Sequence, residues 1–121
     1  DCFKRGRMRC CVPVEDFLSL IAGARYVVCD SFHCAAFSVN FKREFAIVPP
    51  KRFGTRLESF MRVVGLEDRI VGEEDIGIFD RPIDWGSANA RLDAERARSL
   101  DAVKSAIAAS FARCGGPRYR Q

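Results

Sequence analysis

The chain has a single histidine, His33, set in the stretch VVCDSFHCAAFSVNF (residues 27–41), where an apolar run stops at Asp30-Ser31 and a helix-like pattern takes over. An imidazole titrates near neutral pH, so at such a strand-to-helix turn it can donate a proton or contact an anion. The first turn of a helix leaves backbone N–H groups unpaired at the positive end of the helix dipole, which favours phosphate or carboxylate there. Ser31 can add a hydroxyl to such a cradle. A second cationic group, Lys51, Arg52 and Arg56, lies in PPKRFGTR just after the next apolar run. If the two runs are adjacent strands, Lys51 and Arg52 emerge on the rim that carries His33, and an anion held between a helix start and Arg or Lys is a strong arrangement.

Each of these residues also has a plainer role. Asp30 or Ser31 suits an N-cap, and a carboxylate beside a phosphate is repulsive, so Asp30 fits capping better than binding. A lone His in a first turn can be structural, and Lys51, Arg52 and Arg56 can be solvated charges. Phe53 and Trp85 suit either a sugar-stacking platform or the edge of a core.

The elements that must position these groups alternate along the chain. RMRCCV (7–12) is β-like. Pro13 then opens a helix through Val14, Phe17, Leu18 and Ile21, with Gly23 near its end. RYVVC (25–29) is a short β-branched strand, and residues 31–41 form a short helix with Ala36, Phe37 and Phe41 on its inner face. EFAIVPP (44–50) is a buried-type strand stopped by prolines. Residues 54–66 make a helix with the stripe Leu57, Phe60, Met61 and Val64, ended by Gly65. The acidic segment 67–84 reads as loop, with a short strand at Ile70–Val71. From Gly86 to Arg113, Leu92, Leu100, Val103, Ile107 and Phe111 mark one long amphipathic helix packed along the body. The tail 114–121 is expected to be loose.

Composition narrows the class. Of the 121 residues 48% are hydrophobic and 30% charged, which excludes a disordered chain. No stretch is apolar for long enough to span a membrane, and DCFKRGRMRCC lacks the apolar centre of a signal peptide. The net charge is +4, but residues 1–56 carry +5 and residues 57–121 carry −1. Positive charge therefore gathers on the His33 half, without the dense basic stripe of a nucleic-acid binder. Six cysteines show neither C-x-x-C pairs nor enough histidines for a two-plus-two zinc site, so no metal is expected. Cys29 and Cys34 fall inside apolar patterns and read as reduced, small hydrophobes of a cytoplasmic protein. A first residue of Asp rather than Met leads us to expect a piece of a longer chain.

Strands and helices in alternation, with short apolar strands, predict an α/β fold: a three-layer Rossmann-like half with a short parallel sheet of three or four strands. Helices should cover both faces, and a long C-terminal helix should close a single domain over 1–121. Ligands of such sheets sit beyond the carboxyl ends of the strands, where Ser31, His33, Lys51 and Arg52 fall.

The ordered set VEDFLSLIAGA, a strand ending in DSFH before a small-residue helix, RLESFMRVVGLEDR, and IDW opening a long helix with RSL resembles the C-terminal half of the polysaccharide pyruvyl transferase family. The resemblance runs over residues 14–110. It implies the C-terminal, donor-binding Rossmann-like domain of a two-domain GT-B architecture. It also implies transfer of the enolpyruvyl unit of phosphoenolpyruvate to two hydroxyls of a cell-surface sugar, with a preceding N-terminal domain supplying the glycan acceptor site. On this resemblance His33 contacts the donor or protonates its methylene carbon. Ser31 and the Phe32 backbone form the helix-opening turn, and Lys51 or Arg52 is a donor contact. Cys34 departs from the family's usual glycine. No cofactor beyond the donor substrate is implied, and no nucleic acid. The expected location is the cytoplasm, with the periphery of the inner membrane as a variant. Two alternatives share the scaffold: a sugar-nucleotide glycosyltransferase half, disfavoured by the lack of an acidic residue placed for ribose hydroxyls, and a non-catalytic interaction module.

Overall fold

A computed structural model describes residues 9–49, 55–72 and 75–114. The order is α1 (Val14–Gly23), β1 (Tyr26–Cys29), α2 (Phe32–Asn40), β2 (Glu44–Ile47), α3 (Thr55–Val64), two 3₁₀ turns (Glu67–Arg69 and Ile76–Asp80) and α4 (Trp85–Cys114). Helix α1 begins after Pro13, whose φ of −56° is already helical and whose carbonyl accepts the Phe17 N–H at 3.0 Å. The expected strand at 7–12 is absent over its described part, residues 9–12. There Cys11 has a φ of 54°, a left-handed backbone that interrupts any extended run.

Strands β1 and β2 pair in parallel, with Tyr26 opposite Glu44, Val27 opposite Phe45, Val28 opposite Ala46 and Cys29 opposite Ile47. The pair shares the main core. Val27, Phe45 and Ile47 pack with Ile21, Ala35 and Val39 from α1 and α2, and with Leu57, Met61 and Val64 from α3. Where the large apolar residues mark Ala36, Phe37 and Phe41 as the inner face of α2, the buried residues are instead Ala35, Ser38 and Val39. Small side chains let this helix lie close on the sheet, and the phenylalanines flank it half-buried. The buried Ser38 hydroxyl donates to the Cys34 carbonyl at 2.8 Å, so it leaves no unpaired donor.

The fold is mixed α/β, mostly helical, and among the described residues its sheet has two strands where three or four were expected. The segment expected as a strand at Ile70–Val71 makes a single parallel bridge, Ile70 to Ile47, with the Val71 N–H donating to the Ile47 carbonyl at 2.9 Å. The chain then turns, Asp75 N–H to Gly72 carbonyl at 3.2 Å, before a ladder can extend. Coverage of both sheet faces also fails. On the face shared by Val28 and Ala46, Val71 and Ile78 cover Ala46, while Val28 stays 64% exposed.

The second correction concerns α4. It is one helix, as its pattern predicts, but only its first turns pack on the body: Ala88 is buried and Leu92 half-buried. Leu100, Val103, Ile107 and Phe111 remain 51–68% exposed. An amphipathic stripe reports a face to be covered, and α3 borders only part of this one: Phe60 and Val63 line an open groove with Leu92, Leu100 and Val103, while Ile107 and Phe111 stay exposed. The segment expected to be a loose tail begins at the last helical residue, Cys114, and its remainder lies outside the described residues.

In place of further strands, a buried cation organises residues 67–84. The Arg69 side chain is 2% exposed. Its guanidinium donates to the Glu44 carboxylate at 3.4 Å, to the Ile78 carbonyl at 3.3 Å and to the Arg81 carbonyl. The other Glu44 oxygen accepts the Ile83 N–H at 3.0 Å. One ion pair thus ties the start of β2 to both 3₁₀ turns and to the approach to α4. Gly65, with a φ of 70°, makes the preceding turn, and a Cβ there would lie 2.9 Å from the Arg91 guanidinium.

Removing one partner of a buried pair strands the other without compensation. Arg69→Ala is expected to lower the free energy of unfolding by about 3 kcal/mol in urea denaturation. Arg96→Ala, which breaks only exposed bonds to Asp93 and Asn40, should stay within about 0.5 kcal/mol.

Candidate functional site

Parallel pairing sends the chain out of β1 and β2 at the same edge, because Cys29 and Ile47 are register partners at the two strand ends. The exit from β1 runs through Asp30 into α2, whose N-cap is Ser31 in extended conformation (φ −110°, ψ 134°). Ser31 occupies the cap position without a side-chain cap hydrogen bond. Its carbonyl accepts the Ala35 N–H at 3.0 Å, the first bond of the helix. The amides of Phe32, His33 and Cys34 precede that bond and have no partner within the helix, so they are the donors that a helix start can offer an anion.

His33 is exposed, and its ring meets the edge of Phe32 at 5.7 Å between centroids, with an interplanar angle of 83°. Phe32 is the hub of the cluster. The Arg56 guanidinium carbon sits 4.2 Å above its ring, and Phe60 packs against it at 5.5 Å. A cation over an aromatic face gains about 0.5–1 kcal/mol at an exposed site, enough to bias Arg56 toward this position. The first turns of α2 and α3 therefore meet. Ser31, Phe32, His33 and Arg56 come together, and the assembly offers backbone donors, a guanidinium and an exposed imidazole to an anion. Lys51, Arg52 and Phe53 lie outside the described residues. Trp85 is the first residue of α4 and packs half-buried against the core.

A thiol pair at the same turn escapes a reading of Cys29 and Cys34 as small hydrophobes. Cys29 ends β1 and Cys34 is the third residue of α2. Both are free, half-buried and packed at the margin of the core. The Cys29 S–H donates to the Ser31 carbonyl at 3.9 Å. The neighbouring Cys34 thiol, reinforced by burial, pushes the Cys29 thiol far up. Interaction with the Cys29 thiol, and secondarily with the Ser38 side chain, brings Cys34 down to about 7 against the opposing effects of burial and Asp30. A strand-final Cys followed by another in the next helix's first turn is the signal that was available in the sequence. Among the described residues, no group of three or more His, Cys, Asp or Glu could hold a metal ion. No described helix is long and apolar enough to cross a membrane.

Comparison with known proteins bears on this turn directly. Residues 3–52 match the family model described as polysaccharide pyruvyl transferase. This is the family that the sequence resembles, and the matched span holds α1, β1, the Asp30–His33 turn, α2 and β2. Helices α3 and α4, with Arg56, lie beyond it. No curated protein and no solved structure matches the chain.

The Cys34 thiol, depressed from its ordinary 9.0, is ionised above about pH 7 and protonated below, whereas Cys29 stays protonated. Since only thiolates alkylate, iodoacetamide should label Cys34 with a half-maximal rate near pH 7 and leave Cys29 unlabelled, as read by peptide mass spectrometry. Equal labelling of the two, or a midpoint near pH 9, would contradict the arrangement.

Proposed function

We propose that the chain is the donor-binding, C-terminal Rossmann-like part of a GT-B-type transferase that moves a pyruvyl group from phosphoenolpyruvate to a sugar of a cell-surface polysaccharide. The observation that carries this reading is the family match over residues 3–52, which spans the turn bearing the chain's one histidine. The exposure of His33, and Arg56 above the neighbouring Phe32 ring, support it. So does the +5 charge of residues 1–56, which suits a donor carrying both carboxylate and phosphate.

The reaction sets the roles. A sugar hydroxyl attacks C2 of the enol while a proton is delivered to C3, and positive character builds at C2. His33, as imidazolium, supplies that proton. The first-turn amides of α2, the Ser31 hydroxyl and Arg56 hold the anionic groups, and Lys51 and Arg52 add donor contacts. A second hydroxyl of the same sugar then displaces phosphate and closes the ketal. The acceptor is held by a preceding N-terminal domain, in the cytoplasm or at the inner face of the membrane. The chain on its own binds donor weakly and turns nothing over.

The single histidine makes a direct test available, because its Hε1 proton is one resolvable imidazole signal in an NMR spectrum. Phosphoenolpyruvate should shift that signal in a saturable way, and Arg56→Ala should weaken the effect. A shift produced by nucleotide-sugars and not by phosphoenolpyruvate would favour the glycosyltransferase alternative. In a transferase that includes the acceptor domain, His33→Ala should lower kcat by about 10²–10⁴-fold with intact folding. Unchanged turnover would remove His33 from the chemistry and favour the non-catalytic interaction module.

A further inference from the structure

We propose that the exposed stripe of α4 pairs two copies of this chain in an antiparallel, two-fold contact that seats Ile107 and Phe111 of each copy in the α3–α4 groove of the other. The stripe changes character along its length. Its first half walls an open groove, in which Leu92, Leu100 and Val103 lie across from Phe60 and Val63 of α3. Its second half lies beyond that groove, with Ile107 and Phe111 51% and 68% exposed. The surrounding run SAIAASFA (105–112) carries no charge on any side of the helix, yet all eight residues are exposed. A helix without a charged face is one that a fold or an assembly buries.

Charge and area both favour a second copy as the occupant. Along the seam, Asp93, Glu95 and Asp101 are balanced by Arg96, Arg98 and Lys104. Asp93 pairs with Arg96 at 3.1 Å, and Glu95 pairs with Arg98. Such a neutral border meets an identical border without repulsion, whereas an anionic lipid surface is drawn to net positive charge. Leu100, Val103, Ile107 and Phe111, each more than half exposed, present on the order of 100 Å² apiece, roughly 400 Å² together. Homodimer interfaces are about 65% apolar, so this patch corresponds to roughly 600 Å² per copy and about 1,200 Å² in all, the lower end of stable interfaces. Symmetry completes the fit. One copy offers a groove in the first half of its seam and projecting side chains in the second, and a helix turned end for end supplies each with the other. With the two-fold axis between Leu100 and Val103, Leu100 lies beside Val103 of the second copy, and Phe111 beside Leu92 of the second copy. Arg96 does not obstruct this seam, because its guanidinium is bonded to Asp93 and Asn40. Phe60, in the groove, also packs against Phe32 at 5.5 Å, so pairing buttresses the start of α2 from behind. None of this depends on the donor assignment.

Sedimentation equilibrium tests the pairing, with reductant present so that the exposed Cys10 and Cys11 do not link copies. Across the micromolar range the mass of the 121-residue chain should climb from 13.6 kDa toward twice that value. Ile107→Asp combined with Phe111→Asp alters two exposed side chains. It should leave the circular dichroism spectrum intact and raise the dimer Kd at least about thirtyfold, the loss of one hot-spot contact. If the acidic pair frays the helix, Ile107→Ala with Phe111→Ala keeps helix propensity and should move Kd in the same direction. Val14→Asp, equally exposed at 68% but on α1, should leave Kd unchanged. A chain that stays monomeric throughout overturns the proposal and leaves the face to a preceding domain. A dimer that survives both double substitutions, or that dissolves with Val14→Asp, overturns it too. So does a monomer that binds phosphatidylserine vesicles through Ile107 and Phe111, since lipid is then the occupant. These readouts use no phosphoenolpyruvate, so their failure leaves the transferase reading standing, and the reverse holds too.

Discussion

A guanidinium almost wholly removed from water must find every compensation inside the protein, and Arg69 finds most of it at one carboxylate and two carbonyls. Desolvating such a group costs several kcal/mol, so the segments that supply its partners are held wherever the guanidinium is. Those segments are the first residue of β2, the second 3₁₀ turn and Arg81 beyond it. Glu44 is bound in return by the Ile83 amide. The pair does for residues 67–84 what a third and fourth strand would do in a wider sheet. It fixes an otherwise irregular segment against the strand pair and delivers the chain to the start of α4.

With β2 anchored at its first residue, its parallel ladder with β1 fixes where both strands end. The β1 exit becomes a tight turn into α2. A helix start concentrates unpaired amides and dipole there. Two groups flank it: Arg56 with the exposed His33, and the thiols Cys29 and Cys34, of which Cys34 owes its lowered pKa first to Cys29. Phe32 separates the two, with its ring beneath the guanidinium and its backbone in the first turn.

Much of the local structure is legible in residue order. Pro13 before α1, Gly65 after α3 with its positive φ, and the β-branched run into Asp30-Ser31 each specify a boundary through backbone sterics or capping, and these act over a few residues. The strand-to-helix turn at Asp30-Ser31 was legible for the same reason. The role of Arg69 was not legible: its segment reads as an acidic loop, and residue order does not say that an arginine in it is buried. The inner face of α2 was misjudged because large apolar residues dominate the pattern, whereas close approach to a sheet selects Ala35, Ser38 and Val39. The stripe on α4 was read correctly as a stripe and wrongly as covered.

By itself, then, the sequence determined the four helices and the paired strands between them, their order, the concentration of positive charge in the half that holds His33 and the placement of a lone imidazole in a first helical turn. These follow from propensities and charges carried by neighbouring residues. Tertiary structure alone decided that Arg69 would be interior, that Arg56 would sit over Phe32, that the ladder would stop at two strands among the described residues and that Cys29 and Cys34, five residues apart, would shift each other's ionisation. Each of those is a meeting between residues whose separation along the chain says nothing about distance or burial. Only the packed core sets those quantities.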